Sequence, residues 1–167
     1  TLERADARIG KYSSLGLALI NNLSASYGNS GRYEEGLVYY REAVERKQIV
    51  LGELNASTLH SRYNLAFCLS QLGNYQEAIR ECKAAYNGFS QTGKSNEAIL
   101  MQVHLSNILE DADQVDESME VFHRAQQQFY DLEENRQQWT TYYLLSTRLA
   151  DIYEAQNKMD QALEVYW

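Results

Sequence analysis

The sequence predicts an all-α fold, a solenoid of antiparallel helical hairpins stacked side by side, and three observations predict it. The first is an echo. "GRYEEGLVYY" from Gly31 returns as "GNYQEAIREC" from Gly73, "DQVDESMEVF" from Asp113 and "NKMDQALEVY" from Asn157. These anchors lie 42, 40 and 44 residues apart, a period that signals stacked helical repeats. The second is the residue pattern around each anchor, which has helical spacing. The third is composition: the 167 residues include no proline, helix formers dominate, and only brief Gly/Asn/Ser clusters mark loops.

Each element follows from that register. Eight residues before the anchors stand Leu23, Leu65, Leu105 and Leu149, each followed by a small side chain: Ser24, Ala66, Ser106 and Ala150. Four before the anchors stand Tyr27, Leu69, Leu109 and Tyr153. Leucine and the second large residue are thus four apart, on one stripe of a first helix. Five after the anchors come Gly36, Ala78, Ser118 and Ala162, nine after them Tyr40, Cys82, Phe122 and Tyr166, and twelve after them Ala43, Ala85 and Ala125. These form the stripe of a second helix. Small residues at facing places let the two helices approach closely, and each hairpin keeps one apolar face for its neighbour to cover. The spacing predicts helices near 1–9, 14–29, 33–51, 57–72, 75–91, 96–111, 115–132, 136–156 and 159–167. "IGKYSS" (9–14) aligns with "LGELNA" (51–56), so 1–9 reads as the tail of a second helix. The repeats run 1–12 (partial), 13–54, 55–94, 95–135 and 136–167 (truncated), all one domain. With Thr1 first and Trp167 inside the fourth echo, the chain reads as a piece of a longer protein. Both end segments lack half a hairpin and are expected to fray or to dock on a neighbour.

The motif W-x2-L-G-x2-Y … A-x3-F of the tetratricopeptide repeat is matched as Ile20-x2-Leu23-Ser24-x2-Tyr27 … Gly36-x3-Tyr40, and again as Arg62-x2-Leu65-Ala66-x2-Leu69 … Ala78-x3-Cys82. The chain resembles that family over nearly its whole length. The closing proline is missing and the period exceeds the family's usual ~34 residues. The resemblance is therefore to the long-repeat branch typified by kinesin light chains and by repeat domains of bacterial signalling proteins. It implies a right-handed α–α superhelix whose first helices line a concave side where peptides bind.

Composition excludes several function classes. A formal net charge of −8 and a pI near 4.9 disfavour nucleic-acid binding, which needs a Lys/Arg surplus, and attraction to anionic membranes. No apolar run approaches the roughly 18 residues of a span. Cys68 and Cys82 are too few for a disulfide framework and fall on apolar stripes, so they read as core thiols of a cytoplasmic protein. The sequons at Asn22 and Asn55 read as chance matches. His60, His104 and His123 lack the i,i+4 partner of a helical zinc pair. No phosphate loop, nucleophile elbow or dinucleotide fingerprint is present. Carboxylate pairs such as Glu34/Glu35 and Glu133/Glu134 sit at helix starts or in turns. No catalysis, metal or cofactor is expected.

What remains is a binding surface. Opposite the packed stripe of each first helix, the helical geometry places Asn21, Ala25 and Gly28; Tyr63, Phe67 and Ser70; Val103, Asn107 and Glu110; and Thr147, Asp151 and Glu154. Tyr63 and Phe67 are aromatic on a face expected to be wet, with burial under a neighbouring helix the competing account. The resemblance implies that Asn22 and Asn64 hold a ligand's peptide backbone, a ladder broken by His104 and Arg148 in the later repeats. Glu110, Asp111, Asp151 and Glu154 make the C-terminal half of the groove acidic. The expected function is a protein–protein interaction module that binds a peptide or protein segment carrying Lys/Arg next to apolar residues. The alternative is a regulatory or self-associating scaffold domain, with a homo-oligomer, inside a larger signalling protein.

Overall fold

The computed structural model describes residues 1–131 and 145–152. Helices α1 (Leu2–Ile9), α2 (Ser14–Asn29), α3 (Tyr33–Leu51), α4 (Ala56–Gln71), α5 (Tyr75–Gln91), α6 (Ser95–Asp111) and α7 (Val115–Asp131) follow one another, and residues 145–152 are helical. The described residues contain no strand. Helices expected near 136–156 and 159–167 fall partly and wholly outside them. No described helix is long and apolar enough to cross a membrane.

The three anchors of the echo among the described residues are hairpin turns. Gly31, Gly73 and Asp113 have φ of 68°, 73° and 61°, the left-handed conformation that ends a helix and satisfies its last carbonyls. After α4, the Gly73 amide donates to Ser70 O at 2.9 Å and the Asn74 amide to Leu69 O at 2.9 Å. The same pair of bonds recurs at Gly31/Arg32 and at Asp113/Gln114. Helix starts are closed by side chains where the sequence supplies them: Ser13 Oγ accepts from the Gly16 amide at 3.0 Å and Asn55 Oδ1 from the Ser57 amide at 2.9 Å.

Packing runs between sequence neighbours, α2 on α3, α3 on α4, and so on to α7, as a solenoid requires. The small residues meet as expected. Ser24, Gly36, Ala66, Ala78, Ser106 and Ser118 are all buried, and in the third hairpin the two serines bond across the interface, Ser118 Oγ donating to Ser106 O at 2.8 Å. Large residues fill the joints. Leu65, Leu69, Cys82, Leu105, Leu109 and Val121 belong to one core running through successive hairpins. Cys68 and Cys82 are free and buried.

α1 differs. None of its residues is buried. It is tied down by charge: the Arg46 guanidinium, fully buried in α3, donates to Asp6 Oδ1 at 2.8 Å, to Glu42 Oε1 at 2.9 Å and to Lys11 O at 3.1 Å. The expected loss of apolar cover at 1–9 is met in part by this ionic tether.

Candidate functional site

The first helices α2, α4 and α6 and residues 145–152 present one continuous row to solvent. It contains Ala18, Asn22, Ala25 and Asn29 on α2, then His60, Asn64, Phe67 and Gln71 on α4, then Asn107, Glu110 and Asp111 on α6, and Asp151. α4 and α6 touch directly, and no pair of successive second helices makes as much contact. At the joint between the second and third hairpins the first helices therefore approach more closely than the second helices, which puts the α4–α6 part of the row on the inside of that bend.

The row is rotated by about one residue, roughly 100° of helix, from part of the expected face. Asn22, Asn64, Phe67, Asn107, Glu110, Asp111 and Asp151 are exposed where the sequence put them. Asn21, Tyr63 and Val103 instead turn into the joints between repeats. Val103 is only 1% exposed and packs with Phe122, Phe129, Leu145 and Ile152, so it lines no groove. Ser70 is buried and donates to Phe67 O at 2.8 Å. The Tyr63 ring lies 4.4 Å from His104 between centroids, with its hydroxyl 3.4 Å from Nδ1. Thr147 is half-buried, and Glu154 lies outside the described residues.

Charge along the row is lower than composition suggests. Burial pushes the His104 imidazole down to about 4 and the Tyr63 phenol up to about 12, so both are neutral at pH 7. Burial also lowers His60, whose ring sits 5.0 Å from Phe89. Arg148, the residue that breaks the asparagine ladder, forms an ion pair with Glu110 and donates to Ser118 Oγ at 3.3 Å. Asp111 and Asp151 carry the row's remaining negative charge. Phe67 is 42% exposed, with its edge against the Tyr33 ring at 6.0 Å. No cluster of His, Cys, Asp and Glu among the described residues could hold a metal.

Sequence reasoning missed a polar knot beneath this face. Lys47 is 6% exposed. Its ammonium donates to Ser61 Oγ at 2.7 Å, Asn21 Oδ1 at 2.9 Å and Ser57 O at 3.4 Å. Burial lowers its pKa. The signal was present in the register: Lys47 stands 16 residues after Gly31, where Phe89 and Phe129 stand after Gly73 and Asp113.

Residues 16–91 match the family model of the tetratricopeptide repeat, a span that takes in almost all of the hairpins α2–α3 and α4–α5. No curated protein matches the sequence significantly. Among solved structures, the nearly identical TPR-like repeats of a Podosopora anserina protein assigned as a kinesin light chain are 22% identical, with a TM-score of 0.75 over 99% of this chain and 80% of that one. A single-substitution variant of those repeats is 22% identical, with a TM-score of 0.76 over the same shares. BtubC (BKLC) from P. vanneervenii is 18% identical, with a TM-score of 0.71 over 90% of this chain and 60% of that one. The chain therefore has the tetratricopeptide-repeat fold in its kinesin-light-chain-like form, and tetratricopeptide repeats are in general protein–protein interaction modules.

Proposed function

We propose that this tetratricopeptide-repeat chain is an interaction module that binds a segment of a partner protein along the row formed by α2, α4, α6 and residues 145–152. Phe67 carries the reading: a large aromatic, 42% exposed, in the middle of a row otherwise built of amides, small residues, carboxylates and the His60 imidazole. A rigid aromatic flanked by amides is the make-up of a binding anchor, and the amides of Asn22, Asn64 and Asn107 can each give and accept a hydrogen bond with a peptide backbone. Asp111 and Asp151 favour a segment with Lys or Arg beside an apolar residue, the apolar residue meeting Phe67. The reading assigns no catalysis. It goes with a cytoplasmic setting, which the two free thiols support.

Panning a peptide library against the protein and measuring affinity by calorimetry tests the reading. Selected peptides should be basic and apolar. Phe67→Ala should weaken them about tenfold or more, and Asp111→Lys with Asp151→Lys should weaken them and flatten the salt dependence. Glu110→Lys is a poorer probe because it also strands Arg148. Acidic peptides, or affinities indifferent to these substitutions, would sink the proposal.

Self-association is a second reading with its own observation. Ile49, Val50, Leu51 and Leu54, at and just beyond the end of α3, are 60, 43, 40 and 47% exposed, and contiguous apolar surface marks interaction sites. Sedimentation of the protein and of Ile49→Glu separates the readings: only a dimer built on this patch would dissociate with the substitution.

A further inference from the structure

On the opposite side of the stack, the second helices α5 and α7 part over the floor made by α6. Two clefts open there, of 190 and 320 Å³. Tyr86 lines both. Gln102, on the floor, lines the smaller and Gln128, on α7, lines the larger. The two are joined by a hydrogen bond from Gln102 Nε2 to Gln128 Oε1 at 2.6 Å. Gln102 is 2% exposed, and its Oε1 has no hydrogen-bond partner among the described residues. A buried amide oxygen without a donor is costly, and which end of the amide is left over does not change that.

The equivalent joint between α3 and α5 supplies the contrast. Eleven residues before Gly73 stands Arg62, as Gln102 stands before Asp113. Arg62 is held by Glu81 at 2.7 Å and Glu53 at 3.2 Å. That joint is closed by saturated charge. At the α5/α7 joint the equivalent floor residue, Gln102, is an amide that is half used.

We propose that the α5/α7 cleft is a second recognition site, which takes a primary carboxamide side chain, Gln or Asn, of a polypeptide segment lying between the two helices. Gln128 is an intramolecular stand-in for that group. It is exposed on α7, so its own amide can turn to water when a ligand takes its place, and both ends of the Gln102 amide then become available. Another primary amide offers a donor and an acceptor side by side in one planar group, on a side chain slim enough to enter the cleft, and so matches them. The 190 Å³ of the smaller cleft is below the about 300 Å³ at which drug-sized pockets begin and suits one side chain, with the flanking chain in the larger cleft. The mouth carries two exposed ion pairs, Lys83–Glu117 at 2.8 Å from α5 to α7 and Arg124–Glu120 at 2.6 Å within α7. Such pairs are weak in water and can re-pair with flanking residues of either sign.

The capped peptide Ac-Lys-Gln-Glu-NHCH3, whose only primary amide is the Gln side chain, titrated into the labelled protein while the side-chain amide resonances are followed by NMR, tests this. The Gln102 and Gln128 resonances are expected to shift along a saturating millimolar curve, and Ac-Lys-Leu-Glu-NHCH3, which carries no primary amide, is expected to leave them unmoved. Gln102→Leu should weaken binding tenfold or more. Gln128→Ala, an exposed substitution that leaves the floor intact, should strengthen it several-fold by removing the stand-in. The absence of any shift, equal binding of the leucine peptide, binding unchanged in both variants, or shifts confined to the Asn22 and Asn64 amides would each overturn the proposal. The last outcome would leave the opposite face as the only binding surface.

Discussion

The ends of α3 and α5 occupy the same place in successive repeats and are built from opposite chemistry. At the end of α5, Gly88 and Phe89 are buried, Phe89 among Leu59, Ala85, Ala98 and Met101. At the end of α3, Arg46 and Lys47 are equally buried, one paired with Asp6 and Glu42, the other held by neutral oxygens. The solenoid accepts both because the backbone register fixes only the space. Apolar area or a satisfied polar network can fill it, but an unsatisfied one cannot. The two ends should respond differently to perturbation. The apolar end loses stability when volume changes, and the polar end when charge or partners change.

The largest effect should come at the apolar end. Phe89→Ala removes a side chain with no exposed surface and should cost about 3–5 kcal/mol, read from urea denaturation. Adding volume beside it should also cost. A Cβ on Gly88 would lie 2.4 Å from Leu59 Cδ2 and 2.9 Å from its Cδ1. Leu59 is itself buried and has nowhere to go, so Gly88→Ala should destabilise by about 1–3 kcal/mol through overpacking. A near-neutral Phe89→Ala would mean that the apolar joint is not the main support of the stack.

The polar end should reveal itself by pH. Burial holds the Lys47 pKa in the folded chain below its ordinary value of 10.5. Below the folded value both states bind the proton and the cost of burying the charge is present in full. Between the two values the unfolded chain binds more protons, so stability rises with pH, and above 10.5 the cost is gone. The difference in unfolding free energy between wild type and Lys47→Met should therefore drift in favour of wild type as pH rises towards 10.5. Subtracting the variant also removes the opposing contribution of Tyr63, which burial pushes up to about 12. A difference that stays flat with pH would show that the Lys47 amine titrates as if in water.

The helices were legible because the anchors mark them. Gly31, Gly73 and Asp113 are the left-handed turn residues, and helix bounds follow once the turns are known. The exposed row of the first helices was legible to within one residue of rotation. Leucine stripes locate the packed side of a helix, but a first helix in a solenoid is covered on a second flank by the next repeat. That flank is invisible in the stripe, and it takes Asn21, Tyr63 and Val103 out of the exposed row. Lys47 and Gln102 were passed over for the opposite reason. The echo draws attention to positions where repeats agree, and these two matter because they depart from it. Asp113 shows the same lesson on a smaller scale: it is a non-glycine at φ 61°, and Asp113→Gly should raise stability by about 0.5–1 kcal/mol, visible as a higher melting temperature.

The smallest expected effect compares the two joints across the second helices. Arg41 on α3 reaches Glu77 on α5 through two bonds of 2.5 and 2.7 Å, and one repeat later Lys83 on α5 reaches Glu117 on α7 through one bond of 2.8 Å. The pairs stand at equivalent places, ten residues after one anchor and four after the next. The Arg41 guanidinium holds the Glu77 carboxyl below its ordinary pKa, more than offsetting burial. The Lys83–Glu117 pair is exposed and the Arg41–Glu77 pair half-exposed, so solvent screening limits the worth of each to about 0–1 kcal/mol. The planar guanidinium engages both carboxylate oxygens and the ammonium only one. Double-mutant cycles at low salt should therefore give a larger coupling for Arg41–Glu77 than for Lys83–Glu117, with both shrinking as salt is raised. Arg41→Lys should bring the first coupling down to the second. If the lysine pair proved the stronger, the α5/α7 joint would be held more tightly than the α3/α5 joint, and the ease with which its cleft opens to a ligand would have to be reconsidered.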